Sequence, residues 1–243
     1  MVNIINDNEY IIDGSLKNYL IYLDYHHINI KYDISTSCNI IIINNYDGNV
    51  CLNDYGVIKN YSEVSLTYVD LNKDEYRQDS KIDVYESSSL KVTSKYLSLS
   101  NKDIKLNYIN KEAHTDVMID NSCICMNDSS LILECIGKIE KGAKVSKNLQ
   151  ASRCLTIDNP KKALVKPVLL IDENDVEASH SLSSGTIDQD VLYYLNSRGI
   201  SYHDAMILFI HSYLMPQDNL LEGFENKEDI LKNIENKVVN LYA

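Results

Sequence analysis

From the first residues to about position 180, short runs rich in Ile, Val, Leu, Tyr and Thr recur roughly every ten residues, and this recurrence restricts the possible fold more than any other feature. The runs include 39–43, 64–69, 81–85, 90–93, 104–108, 117–119, 130–134 and 168–171, separated by Asn, Asp, Ser and Lys. Their apolar residues tend to alternate, which is the period of a strand and not of a helix. That grammar fits a sandwich or a stack of rungs. Asn-Gly and Asp-Gly hairpin turns are scarce, and beyond Gly14 this region offers only Gly48, Gly56, Gly137 and Gly142 as turn sites. A meander of tight hairpins is therefore disfavoured, and a β-solenoid whose corners turn on polar residues is expected. The left-handed hexapeptide type needs an aliphatic residue at every sixth position with recurrent glycine, a pattern not seen here.

After Gly185 apolar residues recur at three and four positions instead, so the expected division is a β-core over residues 1–184 and a helical region over 185–243. Asp188 is placed to cap a first helix carrying Val191, Leu192, Tyr194 and Leu195, ending at Arg198 with Gly199 as the left-handed stop. Ser201 and Asp204 form a capping-box variant. The helix they open carries Met206, Phe209, Ile210, Tyr213 and Leu214 on one stripe and is ended by Pro216. A third helix from about Lys227 carries Ile230, Leu231, Ile234, Val238 and Leu241. Residues 186–243 hold nine acids and four bases, a net of −5, and their apolar stripe must pack either on the β-core or on another chain.

The whole chain carries 23 Lys and Arg against 35 Asp and Glu, a net charge of −12, so most of its surface would repel nucleic-acid backbones and anionic lipid. Purely apolar runs such as 40–43 and 205–210 are far short of the roughly 18–20 residues that cross a bilayer. No basic segment followed by an apolar stretch opens the chain, so the expected compartment is the cytoplasm. The six cysteines, at 38, 51, 123, 125, 135 and 154, are then expected as free thiols. Cys123 and Cys125 share one face of an extended strand, where core and metal-binding readings both stand.

Signatures of common catalysts are missing: there is no GxSxG, HExxH or GxGxxG. The segment from Gly137 to Lys144 approaches a phosphate loop, but Ala143 displaces the lysine and no hydroxyl follows, so the chain is not expected to hydrolyse ATP itself. The His26-His27 pair reads as an exposed or edge-of-core pair, and His114, His203 and His211 are isolated. Two positions remain. In the segment from Ser152 to Ile157, alternation separates Leu155 and Ile157 from Ser152, Cys154 and Thr156; with the aliphatic pair facing the core, the Cys154 thiol faces outward. His180 shares a face with Val176 and Ala178 and is expected at a strand end just before the switch to helix.

The stretch Asp175-Val-Glu-Ala-Ser-His-Ser-Leu-Ser-Ser-Gly185, the following Ile187 to Ile200 with Asn196-Ser-Arg-Gly199, and Asp204-Ala205 resemble the C-terminal signature of the SufB/SufD proteins of iron-sulfur cluster assembly. Upstream, Ile139-Glu-Lys-Gly-Ala-Lys144 and Asn148-Leu-Gln-Ala-Ser-Arg-Cys154 resemble the last rungs of that family's β-helix. The resemblance implies a right-handed parallel β-helix followed by a small helical domain that docks an ABC-type ATPase, SufC, with Tyr194, Arg198, Ala205 and Phe209 in the docking region. It places His180 at the histidine that both family branches carry at the subunit interface, and Cys154 close to the SufB cysteine implicated in cluster assembly. Both would ligate a transient iron-sulfur cluster. Ser181 follows the histidine as a small residue does in SufD, where SufB has Glu. Strands begin near Met1, so the family's N-terminal helical domain is not expected within this chain. A homodimer would double one Cys and one His to the usual four cluster ligands; a heterodimer with a longer paralogue, and a purely structural adaptor that binds no cluster, are the alternatives. A β-helix carbohydrate enzyme would need clustered carboxylates, and only scattered acids such as Asp116, Asp120 and Asp128 are present.

Overall fold

The structure is a computed structural model that describes the backbone of residues 3–6 and residues 9–59, 61–215, 221, 224 and 227–239 in full. Its strands are β1 (Asn3–Asn6), β2 (Glu9–Ile12), β3 (Asn18–Leu23), β4 (His27–Ile34), β5 (Cys38–Asn44), β6 (Val50–Ile58), β7 (Glu63–Asp70), β8 (Tyr76–Val84), β9 (Ser89–Ser98), β10 (Asn101–Asn110), β11 (Asp116–Met126), β12 (Ser130–Ile139), β13 (Ser146–Ile157), β14 (Lys162–Ile171) and β15 (Val176–Thr186). Helices α1 (Gln189–Ser197), α2 (Tyr202–Leu214) and α3 (Lys227–Val239) follow.

From β2 onward the strands deal alternately into two parallel sheets. One has the order β1-β2-β4-β6-β8-β10-β12-β14 and the other β15-β13-β11-β9-β7-β5-β3. Each consecutive pair is thus one turn of a parallel β-solenoid, and only β1 joins antiparallel, on β2. The turns lengthen along the chain: an early turn carries Tyr19 to its partner Ile40, whereas a late one, half as long again, carries Cys135 to Pro167. All eight runs expected from the sequence lie in strands, β5, β7 to β12 and β14, except that Tyr85 falls one residue past the end of β8. Gly56 and Gly137, read as turn sites, instead lie inside β6 and β12. A side chain at Gly56, where φ is +153°, would put its Cβ 2.0 Å from the Tyr32 carbonyl oxygen on the neighbouring strand. Only the missing side chain lets those backbones stack.

Two apolar layers hold the molecule. The first fills the bore between the sheets and includes Ile12, Ile30, Leu52, Leu66, Val92, Leu106, Leu133 and the buried cysteines. The second lies on the outer face of the β3–β15 sheet, where Ile43, Val69, Leu97, Ile124, Leu155 and Ile157 meet Leu192, Met206, Ile210, Leu214, Ile230, Ile234 and Val238. The helical stripe therefore packs on the chain's own solenoid. Asp188 caps α1 by accepting from the Asp190 N–H at 2.9 Å, and Gly199 follows with φ +85°. The Ser201 hydroxyl accepts from the Asp204 N–H at 3.1 Å at the start of α2. Pro216 and Leu241 lie outside the described residues. Buried Lys95 ties the sheet to α2 by donating to the Tyr213 carbonyl at 3.1 Å, and Lys237 ties α3 to the Asn44 carbonyl at 3.2 Å. Among the described residues no helix is long and apolar enough to cross a membrane.

Candidate functional site: the open end of the bore

Both ends of the solenoid leave sheet edges, β3 at the first turn and β14 and β15 at the last, but they differ in the side chains beside those edges. At the first turn Ile12, Tyr19, Ile21 and Leu23 are buried. At the last, among the described residues, β14 pairs only with β12 and β15 only with β13, so each sheet ends in an unpaired strand edge. Leu164, Leu170 and Ile171 on β14 and Leu182 on β15 are exposed there, by 39 to 48%. Bare strand edges beside exposed aliphatics form a surface suited to pairing with another chain.

Ladder register places both candidate ligands on this end. His180 pairs with Gln150, and Cys154 with Ser184 on one side and Cys123 on the other. In-register residues of parallel strands point the same way. Gln150 and Cys154 are buried in the bore, so His180, exposed and one strand beyond, projects on the bore side at its mouth. It stands in the middle of β15 rather than at a strand end before the helices. Cys154 is 2% exposed and points inward, opposite to the outward thiol expected from alternation. The reason is the second apolar layer: Leu155 and Ile157 do face a core, but it is the one beneath the helices. Along the ladder Cys154 stands four residues from the Gln150 position, so about 13 Å of strand separates it from His180. A single chain does not bring the two together.

The bore around Cys154 is rich in thiols and polar groups. Cys123 and Cys125 also face it, which favours the core reading for that pair, and Cys135 lies on the opposite sheet. Burial pushes the Cys154 and Cys135 thiols up to about 12 and Cys123 well above the usual thiol value, so in the closed bore these three are protonated. Asn148 and Gln150 fill the space left by Gly137, whose absent Cβ would stand 2.1 Å from Asn148 Oδ1. Deeper in, the Asp54 carboxylate accepts from the hydroxyls of Tyr68, Ser80 and, at 3.2 Å, Tyr32. Even with these donors, full burial raises its pKa to about 6. Sequence reading passed over Asp54, because a polar Asn-Asp pair before Tyr55 carries no signal of facing inward.

On the helical side, Tyr194 is exposed and stacks under the Arg198 guanidinium, 5.3 Å from its ring centroid. Tyr193, Tyr202 and Leu208 are exposed on the same pair of helices. Phe209 is half-buried and Ala205 fully buried against the solenoid. The glycine-flanked segment from Gly137 runs from the end of β12 through a turn into β13, with no helix start to receive a phosphate. His26 and His27 stack edge to face on the surface beside Cys51. Among the described residues no group of three or more His, Cys, Asp or Glu is arranged to hold a metal ion.

A parallel β-solenoid with thiols and some polar groups buried among the apolar residues of its bore, an unpaired last turn, and helices roofing one outer face defines a solenoid scaffold. Residues 27–213 match the family model for the SUF system FeS cluster assembly, SufBD core domain. The chain belongs to the SufB/SufD family of iron-sulfur cluster assembly proteins. It is 43% identical over 114 residues to the iron-sulfur cluster assembly protein SufD of Bacillus subtilis, a match covering 46% of this chain and 26% of that protein. It is 30% identical over 93 residues to the SufD of Escherichia coli, covering 38% of this chain and 21% of the other. A SufBD family protein of Synechocystis is 28% identical over 75 residues, 31% of this chain and 17% of the relative. The matched segments thus span about a quarter or less of these relatives.

Proposed function

We propose that this chain is a scaffold subunit for iron-sulfur cluster assembly, working in the cytoplasm as a dimer joined at the open ends of two solenoids. The observation that carries the reading is the unfinished last turn, with its bare edges, exposed leucines and His180 at the mouth of the bore. Two copies related by a two-fold axis would each present the same surface to the other. Cys154 and His180 of both chains would then supply two thiolates and two imidazoles to a nascent cluster, which is cargo and not a resident cofactor. Cys154 lies one turn below the mouth and is protonated while the bore is closed. Ligation therefore requires the end turn to open. An ABC-type ATPase of the SufC kind, docked on the exposed Tyr193, Tyr194 and Arg198 side of α1 and the adjoining α2, would supply that work, with ATP binding belonging to the partner. A heterodimer with a longer paralogue uses the same surface.

The test is anaerobic reconstitution of the full chain with ferrous iron and sulfide, read by absorption and by iron and sulfide counts, for wild type, Cys154→Ala and His180→Ala. Each substitution is expected to lower cluster yield at least severalfold, and full yield from both removes the ligand assignment. Sedimentation run in parallel should show a dimer that Leu182→Lys converts to monomer. The second reading, an adaptor that holds its partners and binds no cluster, is favoured by Ser181 beside His180 and by the inward thiol. It predicts a wild-type dimer that takes up no iron.

A further inference from the structure

The ladder sets Cys123 of β11 directly beside Cys154 of β13, on adjacent turns and on the same inward face. Parallel neighbours in register stand about 4.8 Å apart, inside the 4.4–6.8 Å range of Cα separations that a disulfide spans. The other thiols of the bore are worse placed. Cys125 pairs with Thr156, so it is diagonal to Cys154 at about 8 Å between Cα atoms, beyond the reach of an unstrained bridge. Cys135 stands on the opposite sheet, across the bore, where facing layers are about 10 Å apart. In its own column Cys154 has only Ser184 between it and the end of the stack, so the opening of the last turn would expose Cys154 before any other thiol of this column.

We infer that Cys123 and Cys154 are a dithiol pair that closes to a disulfide when the end turn opens to a small disulfide oxidant, locking Cys154 away from metal. In the step, both S–H bonds break and one S–S bond forms between the two side chains. The S–S bond of the oxidant breaks, and the two electrons and two protons leave as two molecules of its thiol. The disulfide itself is independent of the proposed scaffold role; its consequence as a lock rests on that reading, because a bridged sulfur has no thiolate to offer iron. Oxidising conditions would then shut the site before a cluster could be built on it, and a dithiol reductant would reopen it.

The full chain is incubated with oxidised glutathione, alkylated and mapped by mass spectrometry without reduction. A peptide pair joining residues 123 and 154 is expected as the dominant intramolecular cross-link. It should vanish in Cys123→Ser and Cys154→Ser and persist in Cys125→Ser. Its absence in wild type, a majority link from 154 to 125 or 135, or its loss in Cys125→Ser overturns the inference. In a second arm, reduced and oxidised chains are reconstituted with ferrous iron and sulfide; the oxidised chain should take up less than a tenth of the iron of the reduced chain, and equal, nonzero uptake overturns the lock. A cross-link together with no uptake by the reduced chain removes the scaffold reading while leaving the dithiol pair standing. Uptake by the reduced chain with no cross-link does the reverse.

Discussion

Asp54 should make this fold less stable as the pH rises through mildly acidic values. Its carboxyl is wholly buried in the bore with the hydroxyls of Tyr32, Tyr68 and Ser80 on it, and burial moves its pKa from 3.8 to about 6. A carboxyl that holds its proton more tightly when folded contributes nothing below about 4, where it is neutral in both states. Its cost then grows between about 4 and 6 and is complete above 6. At about 1.4 kcal/mol per pH unit, the full cost is about 3 kcal/mol. Asp54→Asn abolishes the ionisation but weakens one of three hydroxyl contacts, at about 1 kcal/mol. The variant should therefore be about 2 kcal/mol more stable than wild type at pH 7.5 and about 0.5 kcal/mol less stable near pH 4, with the curves crossing near pH 4.5. Urea unfolding followed by circular dichroism at matched concentration, from pH 4 to 8, gives the difference directly, and carboxylates common to both proteins cancel. A difference that stays constant over that range would refute the reasoning.

Two further outcomes follow from the packing. Lys102 and Asp70 form an ion pair with side chains 0% and 2% exposed, so Lys102→Met strands a buried carboxylate and should cost about 3–5 kcal/mol in urea unfolding, much of it recovered by adding Asp70→Asn. Gly56→Ala drives a Cβ into the Tyr32 backbone at 2.0 Å, where no side chain can move aside. It should destabilise by at least about 3 kcal/mol, read as a lower melting temperature, whereas Gly142→Ala meets nothing within 4 Å and carries only the strain of φ +98°.

The inner cysteines show how fold and proposed chemistry depend on each other. The solenoid ladder, and not any local sequence motif, aligns Cys123 with Cys154, which stand a full turn of the coil apart along the chain. The same ladder separates Cys154 from His180 within a chain, which makes a second copy part of the proposed site.

By itself the sequence determined where strands and helices form. Runs such as 104–108 and 130–134 have the β-branched alternation that suits a pleated ladder, and Asp188, Gly199 and Ser201 fix helix ends through hydrogen bonds made within a few residues. The 175–205 stretch also carried the family. No fixed repeat could be read, because the turns grow along the chain as corners and strands lengthen, from the one joining Tyr19 to Ile40 to the one joining Cys135 to Pro167. Alternation tells which residues share a face but not which face is inside, and only the tertiary structure decided that. The β3–β15 sheet buries apolar residues on both sides, in the bore and under the helices, while the bore tolerates Asp54, Asn148 and Gln150. Leu155 and Ile157 could thus turn toward the helices and carry Cys154 inward. Whether the last turn was capped was equally a property of the assembled stack, since a strand becomes an edge only when nothing else in the chain comes to pair with it.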